Sequence, residues 1–157
     1  MVSITWTPVE DESRLKDSRL RLMLTHWSAA IRNGKPPTKE IVDPDKLGEL
    51  MDWLFLYKVE RRPLRFLYLQ CGPGIVRRVG FDMTGRYLDE HPDPQIREVI
   101  FATLSAVATS RTPHYRTAPR RFLDHEVVTE TLVLPLAGTD GSIDHLLALQ
   151  VVGLPEG

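Results

Sequence analysis

The last quarter of the sequence, residues 129–152, restricts the fold more than any other part. Two apolar segments, residues 130–137 and 143–152, are joined by Gly138-Thr139-Asp140-Gly141. Asp and Gly tolerate the positive φ that tight hairpin turns require, so this pattern predicts a β-hairpin. Both segments are apolar at successive positions, so neither face of the hairpin suits water. The sequence therefore predicts a sheet that is covered on both faces.

The composition limits the classes of function. The chain has 157 residues, 42% of them apolar and 26% charged, and its formal net charge is -1. These values are ordinary for one folded domain, and they provide no overall basic charge that would attract nucleic acid or anionic lipid. The single cysteine, Cys71, excludes an internal disulfide framework and a multi-cysteine zinc site. Because no secretory pattern and no apolar stretch of roughly 20 residues is visible, we expect a cytoplasmic protein with no membrane or nucleic-acid partner.

The N-terminal region predicts an arm and a helix. Residues 1–12 are a polar arm, and residues 13–34 form a capping or dimerisation helix that Asn33-Gly34 ends. Helical spacing gives this helix one broad apolar face: Leu20, Leu24, Trp27 and Ile31, flanked by Met23 and Ala30. A thinner stripe repeats every seven residues on roughly the opposite side: Leu15, Leu22 and Ala29. The broad face suits packing on the sheet, and the thin stripe predicts a homodimer contact.

The rest of the chain predicts an α+β core over residues 35–152, followed by a tail at 153–157. Asp43-Pro44 opens a short helix, and strands and helices then follow: strands 53–60 and 64–71 around Arg61-Arg62-Pro63, a short helix 75–79 after Gly72-Pro73-Gly74, a longer helix 95–109, strand 113–122, a turn at 123–126 and the closing hairpin. This order predicts a five-stranded antiparallel sheet. We expect the short helices and the longer helix on one face and the N-terminal helix on the other.

Several fragments, taken in order, resemble a known family. They are His26-Trp27, Ile31-Arg32-Asn33-Gly34-Lys35-Pro36-Pro37, Asp43-Pro44, Leu54-Phe55-Leu56, Arg65-Phe66-Leu67-Tyr68, Gly80-Phe81-Asp82-Met83-Thr84-Gly85-Arg86 and Glu130 with Leu132-Val133-Leu134-Pro135-Leu136. On them the chain resembles PAS domains from about residue 20 to residue 152, in particular bacterial, mostly single-domain PAS proteins. The resemblance implies the PAS fold and a sensory or regulatory module that acts through protein contacts and is frequently dimeric. It implies no fixed cofactor, since PAS domains variously hold haem, flavin, small metabolites or nothing.

The sequence offers weak candidates for cofactor or anion binding. Cys71 lacks the Asn-Cys-Arg-Phe-Leu-Gln type of segment that flavin photosensing PAS domains use, and the helix 95–109 lacks the histidine that haem-binding PAS domains supply from it. His91 is the nearest histidine to that helix. We therefore predict no cofactor, with haem and flavin both disfavoured, and no metal. Two groups of residues are candidates for an anion site: the helix start near Arg77 and Arg78, and a basic patch with Arg111, Arg116, Arg120 and Arg121. Each also has a purely structural interpretation, as a helix start and as solvated charges on an edge strand.

The main hypothesis is a non-enzymatic sensory protein that binds a small molecule or a signalling protein. Asp124-His125-Glu126 suggests acid–base chemistry only by composition, because consecutive turn residues point in different directions and no nucleophile accompanies them. A ligand would lie between the sheet and the helix 95–109, against inward residues: Tyr57, Phe66, Tyr68, Phe101, Leu104, Tyr115 and Leu134. A packed core uses the same residue types, and the sequence favours the core. The alternative is a pure interaction and dimerisation module with no ligand.

Overall fold

A computed structural model describes residues 7–8, 15–122 and 125–153. Most of the predicted arm, the residues 123–124 of the predicted turn, and the predicted tail beyond residue 153 lie outside the described residues. The side chains of residues 119–122 and 125–127 are likewise outside the description. The predicted polar turn Asp124-His125-Glu126 falls in this part of the chain.

The described elements follow the predicted order. They are β1 (Thr7–Pro8), α1 (Ser18–Ala29), α2 (Pro44–Leu47), β2 (Leu54–Glu60), β3 (Arg65–Cys71), α3 (Pro73–Val79), α4 (Pro94–Ser110), β4 (His114–Phe122), β5 (His125–Ala137) and β6 (Ile143–Gly153). Three 3₁₀ helices, Lys39–Ile41, Gly48–Trp53 and Leu88–Glu90, connect them. None of the helices in the described ranges is long and apolar enough to cross a membrane.

The sheet is antiparallel throughout, in the order β1-β4-β5-β6-β2-β3. The five predicted strands are confirmed, and β1 adds a two-residue strand beside β4. The closing hairpin has the predicted turn, with Gly141 at φ 84°. Its central register places Leu134 opposite Leu147.

Both faces of the sheet are covered, as the hairpin predicts. On one face, α1, α2 and the Gly48–Trp53 helix pack on alternate strand residues such as Leu132, Leu134 and Leu147. On the other face, α4 packs on the intervening residues, among them Val133 and Leu146. Successive apolar residues of β5 thus enter two separate cores, because side chains alternate across a strand. The sheet is the shared wall of both cores.

Helix α1 is shorter than predicted. Asp17 begins it, since its carboxylate accepts a hydrogen bond from the Arg19 backbone N–H at 2.8 Å. At the other end, the Arg32 guanidinium donates to the carbonyls of Ala29 and Ile31. The Asn33-Gly34 pair does not end the helix directly; with φ values of 54° and 71° it forms a turn in which Arg32 and Lys35 bond through their backbones.

The broad apolar face of α1 is confirmed, but the thin stripe differs from the prediction. The buried residues of the helix are Leu20, Met23, Leu24 and Trp27. Leu15 precedes the helix and is only 1% exposed within the core, so helical spacing does not apply to it. Leu22, 60% exposed, and Ala29 remain on the outer surface. The homodimer through this surface stays a prediction.

Candidate functional site

A cleft of about 590 Å³ opens between the sheet, α3 and the start of α4. Strands β2, β3 and β6 form its floor, and the loop that carries Phe81 and Met83 forms part of its wall. The lining is mostly apolar, with polar groups from Tyr68, Arg78 and Gln150. Pockets of this size and character are typical of small-molecule sites.

The rings of Phe55 and Tyr68 line one wall of the cleft, and the buried ring of Tyr57 packs against both. The rings of Tyr57 and Tyr68 lie 4.7 Å apart, and Phe55 packs at 5.9 and 5.8 Å from them. Burial raises the pKa of Tyr68 to about 12 and that of Tyr57 well above its usual value. Both phenols are therefore neutral at physiological pH, and they are suited to hydrogen bonding rather than to proton transfer.

The motif from Gly80 to Arg86 forms backbone hydrogen bonds along the outer edge of β3. The Asp82 carboxylate accepts hydrogen bonds from the Thr84 backbone N–H at 2.9 Å and from the Thr84 hydroxyl at 2.6 Å. The Tyr68 backbone N–H donates to the Arg86 carbonyl, and the Gly85 N–H donates back to the Tyr68 carbonyl. This motif covers part of the open edge of β3 and closes one side of the cleft.

Cys71 lies in the cleft wall as a neutral thiol. Burial raises the pKa of its thiol, while hydrogen bonds with Thr84 and Met83 lower it in part. A thiol with a raised pKa is a poor nucleophile. Nothing in its described surroundings activates the Cys71 thiol as a nucleophile.

A polar chain crosses the floor of the cleft. The Arg78 guanidinium donates to the Gln150 side-chain oxygen at 3.1 Å, and the Gln150 amide donates to the Thr131 hydroxyl at 3.4 Å. The same guanidinium lies 5.5 Å from the ring centre of Trp53. Arg78 therefore connects the cleft to the Gly48–Trp53 helix.

His91 is held by its neighbours at the start of α4. The residue is 8% exposed, and its ring packs edge-on against Phe81 at 5.5 Å. Its Nδ1 accepts a hydrogen bond from the Asp93 backbone N–H at 3.1 Å, so the proton of a neutral ring lies on Nε2. Among the described residues no three His, Cys, Asp or Glu side chains are grouped to hold a metal ion.

The structure brings together four of the seven predicted ligand residues. Tyr57, Phe66, Tyr68 and Leu104 belong to the core between the sheet and α4. Phe101, 42% exposed, packs edge-on against Phe66 at the outer rim. Of the seven, Tyr68 alone lines the cleft; Phe66 and Leu104 are each 1% exposed and lie within the packed core.

The other two predicted residues lie on the wrong face of the sheet for that site. Leu134 belongs to the α1 core, and Tyr115 packs against that core. The Tyr115 hydroxyl donates to the buried Glu130 carboxylate at 3.1 Å. Both assignments are wrong because Leu134 alternates with Val133, and Tyr115 pairs with Leu132, which also faces α1.

Sequence reasoning did not place Phe55, Arg78 and Gln150 in a common cleft; it considered Arg78 only as part of a possible anion site. Gln150 carries a signal in the sequence, since it is a polar residue inside the apolar run of β6. Arg78 is a charged residue in the short helix α3, where it could equally have faced solvent. No pattern in the sequence shows that these two side chains meet, because 72 positions separate them.

The predicted anion site at the start of α3 is not formed as a phosphate loop. The Gly72 N–H donates to the Leu54 carbonyl at 2.7 Å, and a Cβ at Gly72 would lie 2.3 Å from the Asp52 carbonyl oxygen. A Cβ at Gly74 would lie 2.9 Å from the Asp52 carbonyl oxygen and 3.0 Å from the Trp53 ring. These glycines serve close packing between α3 and the Gly48–Trp53 helix.

Comparisons with known proteins agree with this architecture. A family model described as "PAS domain" matches residues 15–151. A search of curated proteins finds no match. Among solved structures, the chain is similar to a sensory box sensor histidine kinase from Vibrio cholerae, with 18% identity, a TM-score of 0.52, and coverage of 71% of this chain and 91% of that one.

Two further solved structures are less similar. One, from a study of a flavin analogue in a light-oxygen-voltage domain, has 13% identity and a TM-score of 0.43, and covers 71% of this chain and 84% of that one. The other is a fungal light-oxygen-voltage domain photoreceptor, with 15% identity, a TM-score of 0.46, and coverage of 84% and 90%.

Proposed function

Because the chain belongs to the PAS domain family, we propose that it is a sensory protein whose cleft beside α4 binds a small molecule. The observation that carries this function is the cleft of about 590 Å³, with its aromatic wall and its polar floor. An aromatic or aliphatic body would contact Phe55, Ile75 and Ile100, and one polar group would reach Tyr68 or Gln150. The ligand class is therefore a small, mostly apolar molecule with one hydrogen-bonding group.

A structural change caused by ligand binding would pass from the cleft to helix α1 by way of Trp53. Arg78, on the cleft floor, lies 5.5 Å from the Trp53 ring centre, and Arg19 of α1 lies 5.5 Å from the same ring. Arg19 also binds Asp17, which caps α1, at 2.8 Å. A ligand that moves Arg78 would change the environment of Trp53 and of the start of α1. The helix would then pass the change to a partner signalling protein.

The proposed protein is not an enzyme. The phenol of Tyr68 and the thiol of Cys71 in the cleft lining both have raised pKa values and are neutral at physiological pH, so neither is an activated nucleophile. We place it in the cytoplasm of a bacterium and propose no membrane or nucleic-acid partner. We also propose that it binds neither haem nor flavin; a visible absorbance band in the purified protein would contradict this.

Thermal shift measurements on a panel of aromatic and aliphatic metabolites test the proposed ligand site. A compound present at 100 times its Kd should add about 2.7 kcal/mol to the free energy of unfolding. The Tyr68→Phe variant keeps the ring and loses the hydroxyl, so it should weaken binding about fivefold to tenfold, as the loss of one hydrogen bond does. Tyr115→Phe is the matched control on the other face, and it should leave the shift unchanged. Equal weakening by both variants, or no shift with any compound, would contradict the proposal.

A second candidate function is a dimerisation and interaction module without a ligand. The observation in its favour is Leu22, which is 60% exposed on the outer surface of α1. Ala29, the other exposed member of the predicted stripe, lies on the same helix, and a contact with a second copy of the chain would cover both side chains. The two functions are compatible, but only the first predicts a ligand-dependent change in stability.

A further inference from the structure

A second cleft, of about 460 Å³, lies on the other side of the molecule, where the segment after α1 meets the tip of the closing hairpin. From its cationic lining, we infer that this cleft binds a small molecule that carries a phosphate group. The site is separate from the proposed ligand cleft beside α4, and the two sites share no lining residue. The inference does not depend on the proposed function.

Cationic side chains from two segments line this cleft. Arg32 and Lys35 come from the turn after α1, and Lys46 comes from α2. Glu40 is the one carboxylate in the lining, so the lining carries a net positive charge. Side chains of one charge around a concave surface raise the local positive potential, which attracts anions. Multiply charged phosphates are the natural occupants of such a site.

A buried ring nitrogen points to the same kind of occupant. His26 of α1 lines the cleft, and its Nε2 is buried without a hydrogen-bond partner. A buried polar atom left without a partner loses its hydrogen bonds to water and gains none in the protein, so such atoms usually have one. Because solvent does not reach this nitrogen in the structure, a phosphate oxygen accepts a hydrogen bond from it only after neighbouring side chains shift. The imidazole would then add a directed contact to the charge of the lysines.

The walls of the cleft are fixed before any ligand binds. The Arg32 and Lys35 backbones bond to each other across the turn at 3.2 and 2.9 Å. The Ala137 N–H donates to the Pro37 carbonyl at 2.9 Å, which attaches this segment to β5. The Trp27 indole N–H donates to the Pro135 carbonyl at 2.9 Å and anchors α1 at the same end of the sheet. A preformed site loses little entropy on binding.

The Arg32 side chain is also held in place. Its Nη1 donates to the Ala29 carbonyl at 2.8 Å and to the Ile31 carbonyl at 2.9 Å. These bonds fix the guanidinium at the rim of the cleft, where its charge acts on a bound anion. Lys35 and Lys46 are exposed and make no such bonds to the backbone in the described hydrogen bonds, so they can turn toward a ligand.

Calorimetric titration of the full chain with pyrophosphate at near-physiological ionic strength tests this inference. Adenosine monophosphate and inorganic phosphate, used as separate probes, distinguish a phosphate ester from free phosphate, and sulfate measures the response to any divalent anion. The K35Q/K46Q variant removes two charges from the cleft, and K16Q/K58Q removes two exposed charges elsewhere. We expect saturable binding of pyrophosphate or of the monophosphate, weakened at least tenfold in K35Q/K46Q and unchanged in K16Q/K58Q.

His26→Phe provides a second, independent variant, because it keeps a ring and removes the nitrogen. It should weaken binding severalfold while the unliganded melting temperature stays close to that of the wild type. Saturable binding that both double variants weaken equally would show only a general attraction of anions to the protein. That result, equal binding of sulfate, or the absence of saturable binding with every probe would overturn the inference.

Discussion

At the residue scale, Asp17 shows how one side chain sets the start of a helix. Its carboxylate accepts the Arg19 backbone N–H and also binds the Arg19 guanidinium. The hydrogen bond with the Arg19 side chain lowers the pKa of Asp17. A carboxyl whose pKa is lowered by folding contributes stability above its unfolded pKa of about 3.9 and loses it as the pH falls through the folded value.

We therefore predict an acid-dependent difference between wild type and Asp17→Asn. Asn remains a good helix cap but carries no charge, so the variant should be less stable at pH 7 by less than about 1 kcal/mol, the range of exposed ion pairs. This difference should begin to shrink as the pH falls below about 4, the unfolded pKa, and should disappear only once the pH is below the lowered pKa of the folded-state carboxyl. Urea unfolding at several pH values measures it. Asp17→Ala, which also loses the cap, should cost about 1 kcal/mol more at every pH. A difference between wild type and Asp17→Asn that does not change with pH would contradict the role of the charge.

Individual residues also show where sequence reasoning succeeds and where it stops. The alternation of Leu132, Val133 and Leu134 predicts that both faces of β5 are buried, and the structure confirms it. Alternation within one strand does not say which face meets which helix. That choice depends on contacts between distant segments, so Leu134 and Tyr115 were assigned to the wrong face. The Arg78–Gln150 hydrogen bond also depends on distant segments, so the sequence predicts Arg78 only as part of a possible anion site and assigns Gln150 no role.

At the scale of elements, the helix ends that are set by caps and turns are the part of the fold that the sequence predicts best. Asp43-Pro44 opens α2, Gly80 ends α3 at φ 95°, and Asp93 caps α4, because short-range hydrogen bonds and backbone preference determine these positions. Helix α1 was predicted too long. Its ends depend on the Asp17 cap and on the Arg32 bonds to carbonyls, and helical periodicity alone contains no information about either.

The outer surface of α1 carries a prediction about assembly. We expect the wild type to be a dimer and Leu22→Asp to be a monomer, because a carboxylate at a buried helix contact would lack a partner. Sedimentation velocity measures the native mass of each. Leu22 is 60% exposed, so the substitution should leave the melting temperature of the monomer fold nearly unchanged.

Phe101→Asp provides the matched control for this prediction. Phe101 is an exposed apolar residue on α4, on the opposite side of the sheet, and it receives the same change. This variant should remain a dimer. A monomeric wild type, or loss of the dimer in both variants, would contradict an interface through α1.

At the scale of the whole molecule, one sheet separates two hydrophobic cores, and we propose a different role for the elements beside each core. The core beside α4 borders the proposed ligand cleft, and the core beside α1 carries the helix that we propose as the output. Arg78 and Arg19 both lie against Trp53, which gives a side-chain connection from the cleft to the start of α1. Spatial connection alone does not establish coupling, so the coupling has to be measured.

Hydrogen–deuterium exchange of the full chain, with and without a compound that raises its melting temperature, tests the central claim most directly. Backbone amides of α1 (Ser18–Ala29) should change protection when the compound binds in the cleft beside α4, although α1 lies on the other face of the sheet. Trp53→Leu should keep the change in α3 and α4 and reduce the change in α1. A change confined to α3, α4 and the strands of the cleft would contradict the claim that this protein passes a signal from its cleft to its N-terminal helix.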